Sequence, residues 1–249
     1  MPLLPSLLLV DLLGVKAQWE TQGASAARRE FRILEDLVKS EMRSAPASVE
    51  WAEIESDTAC VACSSTNEAI RFGARLYRRA FRAPAVGGRK VWLRGVLVRR
   101  PSGLEQGDMR RKTRTPSART TVNQLADPLL EAIAYEKAGF KGMRLVVHGH
   151  LATTKVDRAA ILPITDTHAV KLLARLSGGT RAYPSRLKGF VDVLWMGADE
   201  VVEQRRLARE MTTRLRTAVR DDQELVHGGA TQVLFDEWSK RLRSTRSAG

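Results

Sequence analysis

An apolar run in this chain ends on a carboxylate and then resumes. Leu7-Leu8-Leu9-Val10 reads as a buried strand, Asp11 closes it, and Leu12-Leu13-Gly14-Val15 follows at once. A carboxylate at the exit of a buried strand is costly unless something pairs with it. A second one, Asp57, stands between two strand-like runs in Glu55-Ser56-Asp57-Thr58. Two carboxylates converging from neighbouring strands make an oxygen-rich pocket suited to divalent metal. Two such ions about 4 Å apart clamp the attacking and leaving oxygens of a phosphoryl or nucleotidyl transfer. Each acid also has a plainer use: Asp11 as the cap of a following helix, Asp57 as a turn residue.

The rest of the chain alternates between strand and helix patterns. A helix is expected from about Gly23 to Arg43, with Ala27, Phe31, Leu34, Leu37 and Val38 at helical spacing. Val49 to Glu55 and Thr58 to Cys63 read as strands, with Ser56-Asp57 at or near a hairpin tip. Ser65 and Glu68 form a capping box for a helix that buries Ile70, Ala74, Tyr77 and Phe81. Strands follow at Val91–Val98 and Met143–His148, with a helix after Asp127-Pro128 between them. That order suits an α+β fold: a mainly antiparallel sheet with helices on one face and the other face free to hold a ligand. Phe190 to Trp195 reads as an edge strand or a tail packed on the sheet, and helices close the chain at Asp199–Val219 and Thr231–Leu242. With no clear linker, residues 1–249 are expected to be one domain: a core over about 5–195 and a helical extension over about 196–249.

The net charge of +13 raises the question of nucleic acid. Aromatic residues make up only 6% and do not interleave with the basic stretch Arg99–Arg119, so stacking platforms are not evident. That stretch reads as a long loop, either covering a triphosphate or simply connecting elements. Most other basic residues lie beside acids on helices, the pattern of a solvated surface. No apolar run is long enough to span a membrane, and residues 3–15 lack a basic start and a cleavage site, so a cytoplasmic protein is expected. Cys60 and Cys63 mimic half a zinc site, but no second pair follows; buried reduced thiols are expected.

These residues also resemble a family. Leu9-Val10-Asp11-Leu12-Leu13-Gly14-Val15 resembles the first metal-binding motif of class III nucleotide cyclases, and Asp57 in its hairpin resembles the second. Within that superfamily the likeness is to the pyrimidine cyclases of bacterial Pycsar antiphage systems. Glu55-Ser56-Asp57-Thr58 resembles their Ser-Asp turn, and Leu93-Arg94-Gly95 their strand with an Arg-Gly pair. Tyr135-Glu136-Lys137, followed by Met143-Arg144-Leu145-Val146-Val147, resembles their passage from helix to strand. The likeness covers about residues 7–150.

The resemblance implies a palm-like (ferredoxin-like) sheet and closure of a nucleoside triphosphate to a 3′,5′-cyclic monophosphate. Asp11, Asp57 and the carbonyl of Leu12 would hold two Mn²⁺ or Mg²⁺ ions. Amides of the turn Gly14, Val15 and Lys16 would cradle phosphate at a helix start. Lys16 is otherwise a surface lysine, and Arg94, mid-strand, either finds an anion or carries its charge to the surface along its stem. Class III enzymes commonly read the base four positions before the second aspartate, which here is Glu53. A carboxylate accepts from uracil N3–H or guanine N1–H and not from cytosine N3. The resemblance favours UTP over GTP; otherwise Glu53 is a solvent-facing strand residue. The late Asn and Arg of ordinary class III enzymes have no counterpart here, since Asn123 lies too early. By resemblance, a homodimer and a separate cyclic-nucleotide-binding effector protein are expected; the sparse aromatic content argues against nucleic acid as a partner.

Overall fold

The structure is a computed structural model. It describes residues 6–47, 49–83, 91–99, 142–148, 151, 161–163, 190–193, 195, 202, 203, 205, 206, 209, 213 and 222–246. The basic stretch after Arg99, the helix after Asp127, Asn123 and Tyr135-Glu136-Lys137 lie outside them.

The elements run β1 (Ser6–Leu12), α1 (Val15–Gln22), α2 (Ala24–Ser44), β2 (Val49–Glu55), β3 (Thr58–Cys63), α3 (Thr66–Arg82), β4 (Leu93–Arg99), β5 (Arg144–His148), β6 (Ile161–Pro163), β7 (Phe190–Val193) and α4 (Asp222–Arg246). Among the described residues seven strands form one sheet in the order β2-β3-β1-β4-β5-β7-β6. β1 is antiparallel to both β3 and β4, and β2 is antiparallel to β3. The first four strands and their helices therefore make a βαββαβ unit with β1 and β3 at the centre, the ferredoxin-like arrangement of a palm. β4 and β5 pair in parallel, while β7 is antiparallel to both β5 and β6. The segment from Phe190 is thus neither an edge strand nor a tail. It lies between β5 and β6, because β6, only three residues long, supplies the outer edge.

Strand alternation divides the side chains between two faces. Leu8, Val10 and Leu12 of β1 share one face with Ala59, Val61 and Cys63 of β3 and with Leu97, Leu145 and Val147, all in the main hydrophobic core. Ala27, Leu34 and Val38 of α2 and Phe72, Leu76, Tyr77 and Phe81 of α3 join that core. α4 contributes Leu234, Phe235 and Trp238 to the same core. Its Phe235 ring lies 5.4 Å from Phe81, and Trp238 lies 5.5 Å from Trp195. The edge-on geometry of the first pair suits the ring quadrupoles.

Local signals set the helix boundaries. The Ser65 hydroxyl accepts a hydrogen bond from the Glu68 amide at 3.3 Å, which caps α3. Gly23, at φ 80° and ψ 175°, separates α2 from the short α1, the helix that follows the Gly14 turn. Only glycine enters that backbone region readily.

The second sheet face is not open. Leu7, Ala62 and Val98, with Val96 and Val146, are buried on it at 3% exposure or less. Strands apolar on both faces are buried on both, and the unbroken run Leu7–Val10 already carries that signature.

Candidate functional site

The register brings a polar row across the end of this second face. Glu55 pairs with Thr58, Thr58 with Asp11, Asp11 with Arg94, and Arg94 with Arg144. The residues belong to five neighbouring strands. Thr58 donates its hydroxyl to Oδ1 of Asp11 at 3.3 Å, and Nη2 of Arg94 donates to Oδ2 at 3.0 Å. Asp11 keeps 18% of its side-chain exposure and Arg94 10%. Arg94 therefore finds an anion within the chain, the first of the two outcomes open to a mid-strand arginine.

The plainer use of Asp11 does not hold. The N-cap of α1 is Gly14, in the left-handed region at φ 84°, and no side chain caps that helix. Its place on β1 aims Asp11 across the sheet at Thr58 and Arg94 instead.

Asp57 reaches the same end of the sheet through the backbone. Leu12 donates its amide to the Asp57 carbonyl at 2.8 Å, and Leu13 donates to the Trp92 carbonyl at 2.9 Å. The β2–β3 turn and the start of β4 are thereby both fastened to the end of β1. Ser56, first of the two turn residues, has φ 56°, a region a serine seldom enters. Asp57 is half-buried, and among the described residues its carboxylate takes no hydrogen bond or ion pair.

Gly14 opens α1 immediately beyond this junction. The Val15 side chain is buried in the core at 6% exposure. The Lys16 side chain lies outside the described residues. Glu53 shares the face of Asp11 one row further in, opposite Cys60, and is 6% exposed. Its solvent-facing alternative is excluded.

Arg144 and Asp192 extend the polar face and are 1% exposed each. Nε of Arg144 donates to Oδ1 of Asp192 at 2.9 Å, and its Nη2 pairs with Oδ2. The Arg144 carbonyl accepts the Tyr77 hydroxyl at 2.7 Å. Asp192 escapes sequence reading because only the β5–β7 register brings it to Arg144. On the helix face, Gly95 makes room for Tyr77: an added Cβ would stand 2.7 Å from the Tyr77 hydroxyl and 2.9 Å from the Leu9 carbonyl.

The donor set fits a hard divalent cation in kind: Asp11 and Asp57 each bring a carboxylate, and Leu12, next to Asp11, donates its amide to the Asp57 backbone carbonyl. Arg94 competes for one of the carboxylates. Among the described residues no group of three or more His, Cys, Asp or Glu is arranged to hold an ion. Cys60 and Cys63 are free, buried and on opposite faces. Burial pushes the Cys63 thiol up to about 12, and burial with nearby Glu53 pushes Cys60 higher still.

No family model matches the chain, and no curated protein matches it. Among solved structures it is similar to the active GGEEF domain of a diguanylate cyclase from Vibrio cholerae. That match has a TM-score of 0.36 and 10% identity, covering 55% of this chain and 79% of that one. The ferredoxin-like assignment rests on this chain's own strand order and register. Among the described residues no helix is long and apolar enough to cross a membrane.

Proposed function

We propose that this chain is a two-metal nucleotide cyclase that converts UTP to 3′,5′-cyclic UMP and pyrophosphate. The observation that carries the reading is the 2.8 Å hydrogen bond from Leu12 to Asp57, which joins the strand of one acid to the turn of the other. In the reaction the ribose 3′-oxygen bonds to the α-phosphorus, the bond to pyrophosphate breaks, and the hydroxyl proton leaves to solvent. Asp11, Asp57 and the Leu12 carbonyl would hold Mn²⁺ or Mg²⁺. When bound, such ions acidify the hydroxyl and neutralise the triphosphate.

The chain's own residues supply placement. Gly14 lets the backbone approach the phosphates, and the amides of Val15 and Lys16 begin a helix whose positive end faces anions. Arg94 holds Asp11 in one orientation until substrate offers its guanidinium a phosphate. Glu53, desolvated on the same face, accepts from uracil N3–H. Its position one row behind Asp11 supports this, as the base must lie beyond the reacting phosphate. GTP is the alternative substrate that offers the same donor, and CTP the one that does not. A homodimer, a separate cyclic-nucleotide-binding effector and an antiphage role complete the proposal by resemblance.

The Asp11–Arg94 pair favours a second reading, in which the acid is structural and the palm only binds ligands, nucleic acid among them. Incubating the protein with Mn²⁺ and each ribonucleoside triphosphate in turn separates the two. Cyclic UMP supports the first reading; cyclic CMP keeps the chemistry and removes the Glu53 argument; binding without turnover leaves the second.

A further inference from the structure

The outer face of α3 carries Arg75, Arg78, Arg79 and Arg82, a spacing of three, one and three that places four guanidinia on one stripe. They line a groove of about 670 Å³ between α2 and α3, together with Leu37, Ala83 and Glu41. Among the described lining residues Glu41 is the one acid. Its side chain is fully buried, and it is bonded by Arg75 through Nε and lies 3.5 Å from Nη2 of Arg79. Arg79 also donates to the Ser40 hydroxyl at 2.6 Å.

Among the described lining residues four arginines stand against one acid. Glu68, the acid in the first turn of α3, pairs with Arg71 outside the groove. The negative end of the helix dipole accounts for basic residues in the last turn, which holds Arg79 and Arg82, but not for Arg75 and Arg78. Like charges three and four residues apart repel. The buried carboxylate hydrogen-bonds Nε of Arg75 and lies at ion-pair distance from Arg79, which holds part of the cluster in place. Arginine forks recognise phosphate with paired donors.

We infer that the α2–α3 groove is a second binding site, separate from the Asp11–Asp57 end, for a small polyphosphate anion. The described lining residues offer no aromatic surface on which a nucleic-acid base would stack. Neither metal nor turnover enters the inference, so it stands apart from the cyclase reading.

Calorimetric titration of the full chain with inorganic triphosphate, in the presence of a chelator, tests it. Triphosphate should bind at least about tenfold more tightly than sulfate, a difference of about 1.4 kcal/mol. The double variant R78Q/R82Q should weaken it by about tenfold or more. Arg71→Gln, on the same helix but outside the groove, should leave affinity within about twofold. R78K/R82K keeps the charge and removes the forks, and should fall between wild type and the glutamine pair. Equal affinity in wild type and both double variants overturns the inference. So does sulfate binding as tightly as triphosphate, or displacement of triphosphate by a short DNA duplex at lower concentration.

Discussion

Arg94 and Asp11 face each other across β4 and β1, with Nη2 3.0 Å from Oδ2. The acid best placed to begin a metal site is thus neutralised by a cation from the next strand. A carboxylate so placed keeps a counter-charge when no divalent ion is present.

Removing the arginine exposes that arrangement. Arg94→Ala should cost about 2 kcal/mol, the scale of a charge-assisted hydrogen bond lost at a partly buried site. If Asp11 also binds divalent metal, saturating Mn²⁺ should recover most of the loss, since ligand binding to the folded state stabilises it. Urea denaturation with and without Mn²⁺ measures both. Equal destabilisation in the two conditions would mark the pair as purely structural.

The turn that carries Asp57 is strained at Ser56, whose φ is 56°. Ser56→Gly should stabilise the chain by about 1 kcal/mol, the cost an L-residue meets in the left-handed region. The denaturation midpoint reports it, and an unchanged or lower midpoint would mean that the serine side chain supports the turn.

Gly95 is required by packing. Gly95→Ala sets a methyl 2.7 Å from the Tyr77 hydroxyl and 2.9 Å from a backbone carbonyl. The cost should be about 1–3 kcal/mol. Tyr77→Phe frees that space but leaves the carbonyl in place, so the double variant should recover only part of it. Full recovery would contradict the backbone contact.

The buried thiols give a pH dependence of definite sign. Burial raises Cys63 to about 12, above the unfolded value of roughly 8.5. The folded state therefore retains a proton that the unfolded state loses. The contribution is complete below roughly pH 8.5 and declines as pH rises toward the folded value. Wild type should lose more stability than C60A/C63A between roughly pH 8.5 and 10.5. Parallel pH profiles would refute this, as would rapid alkylation of either thiol in the native protein at neutral pH.

Much of this arrangement is legible in the sequence. Val49–Glu55 and Thr58–Cys63 alternate or carry small and β-branched residues, and the structure has strands over the same ranges. Asp11 and Asp57 stand out because an acid beside an apolar run is conspicuous wherever the chain later goes. Pairing is harder to read. Arg94 is conspicuous, but its partner is named only by the β1–β4 register, and Asp192 meets Arg144 only through the β5–β7 register. The stripe from Arg75 to Arg82 is visible as helical spacing, yet the buried Glu41 that fixes it comes from α2. The second face, expected to be free for a ligand, is buried instead, as the apolar residues on both sides of the strand in Leu7–Val10 require.

The central claim is that Asp11 and Asp57 act together on a nucleoside triphosphate. Its most direct test is turnover of α-phosphate-labelled UTP in Mn²⁺ by wild type and by Asp57→Ala, each shown to be folded by its thermal transition. The account predicts labelled cyclic UMP from wild type and a loss of at least about a hundredfold in the variant, the scale of about 2.7 kcal/mol of transition-state stabilisation. Cyclic product undiminished in Asp57→Ala, or none from any ribonucleoside triphosphate with wild type, would contradict it.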